Sequence, residues 1–446
     1  MPPTIALIGC VCFVLCLLWL ERRQSAHVTR ASWIPTIWML YTASKPLAVW
    51  FPTSEATLES SPVDRGFLIA LILITLGILL HRRFRWWAAV EGNPAVMIYL
   101  GLMLVSIFWS SLPNTSFSRW VREFQAVLMA FAVLSEPSPR RTVESILRRT
   151  IYILVPFSIL LIKYFPDYGI EYIRWTGERM WIGVAQQKNS LGLLCAISAM
   201  FLIWSLVRRR RERQAPVWKF EVPTECFLLA LTAWVMRGPG GNFFYSATAF
   251  YALSAALLTF GGLLLAKRSG RSVSAQATMA VVSAIMAFGI VILFTGGSHI
   301  RFAASAAGRD TTLTGRADVW ASLLPAAMRH PLLGNGFGGF WTPASREVFH
   351  ISGAHSGYLD VLLGLGFSGL LAVGAFVLSS CRRAHRELSH DFDWGVLWLC
   401  FLVMAVLHNT AESSIDSLTS FLTAVILFMM VSSTVLSLEP ETEIAR

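Results

Sequence analysis

Long apolar runs set the pattern of this chain. Thirteen of them fall near 5–20, 33–50, 66–80, 95–112, 120–134, 150–163, 189–207, 221–236, 244–266, 277–295, 356–380, 395–408 and 419–437. A helix that crosses a bilayer needs about 20 mostly apolar residues, and its backbone polar groups must be satisfied within the segment. The runs therefore predict an all-α polytopic membrane protein with about twelve to thirteen transmembrane helices. The first run, Ile5–Leu20, has the look of a signal-peptide core. No basic side chain precedes it in Met-Pro-Pro-Thr and no small-x-small cleavage site follows, so it reads as a helix that stays. Two longer polar stretches interrupt the pattern, about Tyr164–Lys188 and about Gly296–His355. With no internal repeat and no low-complexity linker, residues 1–446 read as one membrane domain. Residues 164–188 then form an external loop, and 296–355 a large external loop before the eleventh helix.

The charges orient the helices. Arg22/Arg23/Arg30, Arg82/Arg83/Arg85, Arg140/Arg141/Arg148/Arg149, Arg208–Arg211 with Arg213 and Lys219, Lys267/Arg268/Arg271 and Arg382/Arg383/Arg386 follow alternate runs. The intervening short loops hold Arg65, Arg119 and Arg237. Cytoplasmic loops carry the excess of Lys and Arg, so the arginine-rich side reads as cytoplasmic and both long polar loops as external. Composition agrees: 55% hydrophobic and 14% charged residues, with a mean hydropathy of +0.58, exclude a soluble or disordered chain. The net charge of +11 belongs to the short loops and implies no nucleic acid. All seven cysteines lie in apolar runs or at their ends, which argues against a disulfide framework or a zinc site.

Candidate chemistry concentrates in the external stretches. In Leu313-Thr-Gly-Arg-Ala-Asp-Val-Trp320, Thr314 is a candidate N-cap and Arg316–Met328 an amphipathic helix, with Val319, Trp320, Leu323 and Leu324 at helical spacing. Arg316 then sits in a first turn whose free N–H groups already favour an anion; its other reading is a solvated surface arginine. Gly334-Asn-Gly-Phe-Gly-Gly339 matches G-x-G-x-x-G, but no strand precedes it and the loop is external, so a dinucleotide site is rejected. These glycines suit tight turns and close approach of backbone to a ligand. Phe337, Phe340 and Trp341 fit interface anchoring or stacking on a sugar. His355 stands where the chain re-enters the membrane, and a neutral imidazole there can deprotonate a hydroxyl. Asp360, about a turn deeper, is a functional carboxylate or a packing contact. Lys188 and Asn189 open the seventh helix on the same face. Lys45 reads as lying within the second helix. Arg122 and Glu123 lie near the outer end of the fifth. Glu412 and Asp416 fall in the turn between the last two, where Glu123 or Glu412 suits neutralising the cations. No metalloprotease, P-loop or nucleophile-elbow motif is present.

These segments resemble the O-antigen ligase and polymerase family of bacterial membrane proteins. The resemblance rests on Leu313-Thr-Gly-Arg316-x-x-x-Trp320, His330-Pro-Leu-Leu-Gly-Asn-Gly-Phe337 and Ala354-His355-Ser-Gly-Tyr358-Leu. It is supported by Lys188-Asn189-Ser-Leu-Gly192, Ser246-Ala-Thr248 and Asn409-Thr-Ala-Glu412-Ser, and covers about Tyr164 to Ser432. It implies a metal-independent, cofactor-free inverting glycosyltransferase in the bacterial inner membrane, acting on its periplasmic face. The donor would be a glycan on undecaprenyl diphosphate. His355 would be the base on the acceptor hydroxyl and Arg316 would bind the diphosphate. A second arginine is expected in the loop before helix 7, as Arg174 or Arg179. Lys188, Asn189, Trp320, Trp341, Tyr358 and Asp360 complete the expected contacts to diphosphate or glycan. Membrane lipid, a chain-length regulator and a flippase are the partners implied. The family commonly has Asn after the loop histidine, where this chain has Ser356.

Two transfer reactions share these motifs: polymerisation of a lipid-linked polysaccharide, slightly favoured by the Lys188-Asn189 region, and ligation of finished glycan to a lipid or protein acceptor. A transporter or flippase for lipid-linked oligosaccharide is the reading from another class. A transporter should place its charges mid-membrane with repeat symmetry or broken helices. A transferase should gather Arg316, His355 and a cation of the 164–188 loop within about 10 Å around one external cavity.

Overall fold

The computed structural model describes residues 2–25, 27–51, 61–172, 177–212, 218–240, 246–295, 316–351 and 353–434. The chain runs through α1 (Pro3–Gln24), α2 (Trp33–Thr42), α3 (Leu47–Trp50), α4 (Pro62–His81), α5 (Trp86–Glu91), α6 (Pro94–Val105), α7 (Pro113–Leu134), α8 (Pro139–Tyr164) and α9 (Pro166–Gly169). A hairpin of β1 (Ile170–Tyr172) and β2 (Arg179–Trp181) follows. Then come α10 (Lys188–Glu212), α11 (Trp218–Met236), α12 (Ala247–Arg268), α13 (Ala275–Phe294), α14 (Arg316–Ala327), α15 (Pro343–Phe349), α16 (Gly357–His390), α17 (Phe392–His408) and α18 (Phe421–Ser432). The protein is an all-α polytopic membrane protein. Among the described residues seven helices, α1, α4, α8, α10, α12, α13 and α16, are long and apolar enough to cross a membrane, and three shorter apolar helices accompany them. α8, α10, α17 and α18 form the buried centre, while α1, α4, α12 and α13 keep most of their apolar surface exposed, as lipid-facing helices do.

Several elements depart from the sequence pattern for local reasons. The run 33–50 is two helices. Lys45 stands in the break between them, its N–H donating to the Val184 carbonyl at 2.8 Å and its Nζ to the carbonyls of Tyr168 and Gly183 at 2.6 Å each. That contact fastens the 164–188 segment, which contains the unanticipated hairpin, to the bundle. α8 starts eleven residues earlier than the run 150–163, because Arg149 pairs with Glu21 at 2.8 Å and Arg148 lies 3.7 Å from Glu225. Once paired, those guanidiniums can sit inside the bundle and the helix continues through them. Similar pairs, Arg82–Glu136, Arg140–Glu387, Arg208–Glu144 and Arg211–Asp393, join the arginine-rich segments at one end of the bundle.

α16 breaks inside its 34 residues at Gly366, whose φ of 65° and ψ of −159° are not helical. The loop 330–341 fills the break. Phe367 N–H donates to the Pro331 carbonyl at 2.7 Å, and Asn335 caps the freed Leu363 carbonyl with its backbone N–H at 3.0 Å and its Nδ2 at 2.9 Å. A Cβ on Gly366 would lie 2.5 Å from the Leu332 carbonyl carbon, so only glycine allows this approach. On its other side the loop crosses the turn after α6: Phe337 N–H donates to Ser106 Oγ at 2.9 Å, and Ser111 Oγ to the Gly339 carbonyl at 2.8 Å. The tight turns expected of the G-x-G-x-x-G string are present, with positive φ at Gly334, Gly336 and Gly338. The backbone they bring close is the protein's own.

Candidate active site

The site is built from four segments that meet at Glu412. Arg316 opens α14, and its predicted helix is present with Trp320 and Leu323 buried; Val319 and Leu324 are partly buried. The expected cap, Thr314, lies outside the described residues. Trp320 is fully buried and donates from Nε1 to the Ala354 carbonyl at 3.0 Å. The next residue, His355, has a left-handed backbone with φ of 50°. That turn sends Ser356 and Gly357 against the segment between α17 and α18: Ser356 Oγ donates to the Asn409 carbonyl at 3.3 Å, and Gly357 N–H to the carbonyls of Asn409 and Glu412 at 3.1 and 3.0 Å. Asn409 organises the segment from within. Its Oδ1 accepts from the backbone N–H groups of Ser414 and Ile415 at 2.9 Å each.

Glu412 is thereby held at the junction. It forms an ion pair with Arg316 and accepts a hydrogen bond from Asn189 Nδ2. His355 Nδ1 stands 3.8 Å from its second oxygen, beyond hydrogen-bond length but within charge–charge reach. The first residues of α12 close the ring, since Thr248 accepts from Arg316 Nη1 at 3.4 Å and Ser246 Oγ donates to Asn189 Oδ1 at 3.4 Å. The side chain of Glu412 is 6% exposed, Arg316 16% and His355 40%, so the charge pair is buried and the imidazole reaches the surface. Burial pushes the Glu412 carboxyl up, but the nearby imidazole of His355 and the positive charge of Arg316 hold it below its ordinary value.

His355 and Glu412 face a cavity of about 470 Å³, large enough for a sugar and part of a diphosphate. Phe337, Phe340 and Trp341 supply apolar wall, and Arg119 and Arg122 cations. Glu123, Asp360 and Asp416 add carboxyls. Burial, aided by Asp360 and Glu123 nearby, pushes the Asp416 carboxyl up to about 8. Asp360 accepts from Trp341 Nε1 at 2.9 Å, Ala354 N–H at 3.3 Å and Ser413 Oγ, tying the loop before His355 to the turn beside Glu412. Among the described residues no group of three or more His, Cys, Asp or Glu is placed to hold a metal ion.

The structure thus brings Arg316, His355 and Asn189 from the sequence-derived set together at Glu412, and Trp341 and Asp360 line the cavity beside His355; Trp320 is buried behind them and holds Ala354 rather than facing the cavity. Other members lie apart. Tyr358 is buried, its hydroxyl donating to the Val406 carbonyl at 2.8 Å. Lys188 lines a separate small cavity with Cys195, Val235 and Met236, and Arg179 is exposed on β2 and absent from the His355 cavity. Arg174 lies outside the described residues. Glu412 pairs with Arg316, as a neutralising carboxylate does, and it is also the common partner of three segments, which the sequence pattern does not predict. The only signal for it was its place in Asn409-Thr-Ala-Glu412-Ser. Arg119 and Arg122 carried no signal beyond charge.

Residues 242–374 match the family model described as O-antigen ligase. That stretch contains Ser246, Thr248, Arg316, His355 and Asp360. The chain is also similar, at 23% identity over 360 residues, to the exopolysaccharide production protein ExoQ of Rhizobium meliloti (strain 1021), covering 74% of this chain and 75% of the relative. This multi-pass membrane protein is thus similar to the O-antigen ligase family over residues 242–374 and, across most of its length, to an exopolysaccharide production protein.

Proposed function

We propose that this protein is a glycosyltransferase of surface-polysaccharide synthesis, acting at the membrane face opposite its arginine-rich end. The donor is a glycan on undecaprenyl diphosphate and the acceptor a sugar hydroxyl. The observation that carries this reading is the convergence of Arg316 and His355 on Glu412, with His355 and Glu412 lining one cavity and Arg316 paired behind them. In this reading Glu412 orients His355 with a proton on Nδ1, leaving Nε2 to take the proton from the acceptor hydroxyl. The acceptor oxygen forms a bond to the anomeric carbon from the face away from the leaving group, inverting it. The carbon–oxygen bond to the diphosphate breaks with its electron pair, and Arg316 stabilises the charge that develops there. Glu412 uses part of the Arg316 fork, and the remaining N–H groups serve the phosphate. Arg119 and Arg122 are the cations that line the cavity, so they take the place sought among the 164–188 cations.

The polymerase reading is preferred to ligase, because the relative's printed name refers to exopolysaccharide production. The site faces the periplasm if the arginine-rich end is cytoplasmic, as the positive-inside rule directs. Deleting the gene and resolving surface glycan on a gel tests the assignment. Loss of long chains with single units retained identifies a polymerase. Full-length chains left on the lipid carrier identify a ligase. Unchanged glycan refutes both.

A further inference from the structure

The end of the bundle away from His355 holds a second cavity, of about 380 Å³. α10 connects the two sites: Asn189, in the first turn, touches Glu412, and Arg209, near the other end, lines this cavity. Twenty helical residues separate them, about 30 Å. Five arginines, Arg23, Arg141, Arg148, Arg208 and Arg209, line the cavity against two carboxylates, Glu144 and Glu221. Even with Glu225, which lies behind Arg148 and Arg209, positive charge is in excess.

The arginines are held in place before any ligand arrives. Arg209 is tied to Glu221, to Glu225 at 3.3 Å and to Gln24 Oε1 at 2.7 Å. Arg208 reaches Glu144 at 2.8 Å and lies 5.2 Å over the Trp204 ring. Arg23 is stacked 3.6 Å above Trp19. Neither Arg23 nor Arg141 has a carboxylate partner among the described residues. In the same network the Nε atoms of Arg148 and Arg209 and Nε2 of Gln24 donate no hydrogen bond and Glu225 Oε2 accepts none, so its polar groups are not all paired with one another. Guanidinium forks in excess of carboxylates, around a pocket this size, match a group with several anionic oxygens. The cavity also adjoins α1, whose Ile5, Ile8, Leu15 and Trp19 are exposed. A basic pocket between helices, with an aromatic side chain at the lipid boundary, is the pattern that takes phosphate headgroups.

We propose that this cavity is a binding site for a phosphate-bearing group, carried by an anionic membrane lipid or free in solution, distinct from the donor diphosphate site. Thermal unfolding of the purified full-length protein in neutral detergent tests it, with added phosphatidylglycerol or cardiolipin, phosphatidylcholine, or inorganic pyrophosphate. Arg23→Gln/Arg141→Gln alters two exposed side chains, so the fold persists, and each loss weakens binding by about tenfold. Arg268→Gln/Arg271→Gln, outside the cavity, controls for surface charge. Stabilisation by the anionic lipids alone, lost in the Arg23/Arg141 variant and kept in the control, supports the site with a lipid source. Stabilisation by pyrophosphate, lost in the same variant, supports it with a soluble source. An equal response from both variants, an equal response to phosphatidylcholine, or no response of the wild type overturns the proposal.

Discussion

Replacing Glu412 with Gln removes one charge at the junction of the site and leaves its size unchanged. Arg316 and Glu412 are 16% and 6% exposed, so the substitution strands a mostly buried guanidinium. Removing one partner of such a pair costs about 3–5 kcal/mol, and the amide oxygen that remains puts this case near 3. The effect on turnover has two parts. At 3.8 Å from His355, the charge is worth about 1 kcal/mol in a water-like dielectric and about 4 at an effective value of 20. The imidazole is 40% exposed, which favours the lower figure and a loss of about fivefold. Release of Arg316 from its position adds a factor of about ten, in the range seen when a group that orients an active residue is lost. Glu412→Gln should therefore lower kcat about fiftyfold. The assay is glycan transfer by purified protein in nanodiscs supplied with lipid-diphosphate-linked glycan, with fluorimetric unfolding alongside. A folded Glu412→Gln protein turning over within twofold of wild type would refute the reasoning.

Three other outcomes follow from the same geometry. Trp320→Phe leaves the Ala354 carbonyl without its donor, so stability should fall by about 1–3 kcal/mol by thermal unfolding and kcat should drop more than KM changes. In Gly357→Ala the new Cβ falls 2.0 Å from Asn409 Oδ1, and about 1–3 kcal/mol of stability should be lost with activity as the turn holding Glu412 shifts. Asp416 has a folded pKa raised to about 8, above its ordinary 3.8, so the stability it contributes is complete at low pH and lost as pH rises through that window. Asp416→Asn should therefore match wild type in Tm near pH 4 and exceed it increasingly up to pH 8; a gap independent of pH would contradict the assignment.

The sequence made some of this legible and hid the rest for physical reasons. Apolar runs and alternating arginine clusters gave the helices and their common end, because bilayer length and charge act on local sequence. Arg316–Ala327 was readable because its buried residues recur at helical spacing. Lys188 and Asn189 look equivalent in sequence, yet neighbours on a helix point about 100° apart. One therefore faces Glu412 and the other a cavity beside α11. The break at Gly366 left no mark, because an apolar run looks the same whether its carbonyls are capped by the helix or by Asn335. Glu412 was hidden most completely. A carboxylate in a short turn has no periodicity, and its partners Arg316 and Asn189 stand 96 and 223 positions away, with His355 in a separate loop. Likewise, paired arginines let α8 extend past its apolar run.

The central claim is that His355 acts as the base on the acceptor within a site shared with Arg316. Its most direct test is the single-turnover rate of glycan transfer by His355→Ala at saturating donor, in protein whose unfolding temperature matches wild type. Loss of a general base predicts a fall of at least about a hundredfold with donor still bound. A rate equal to wild type would contradict the account.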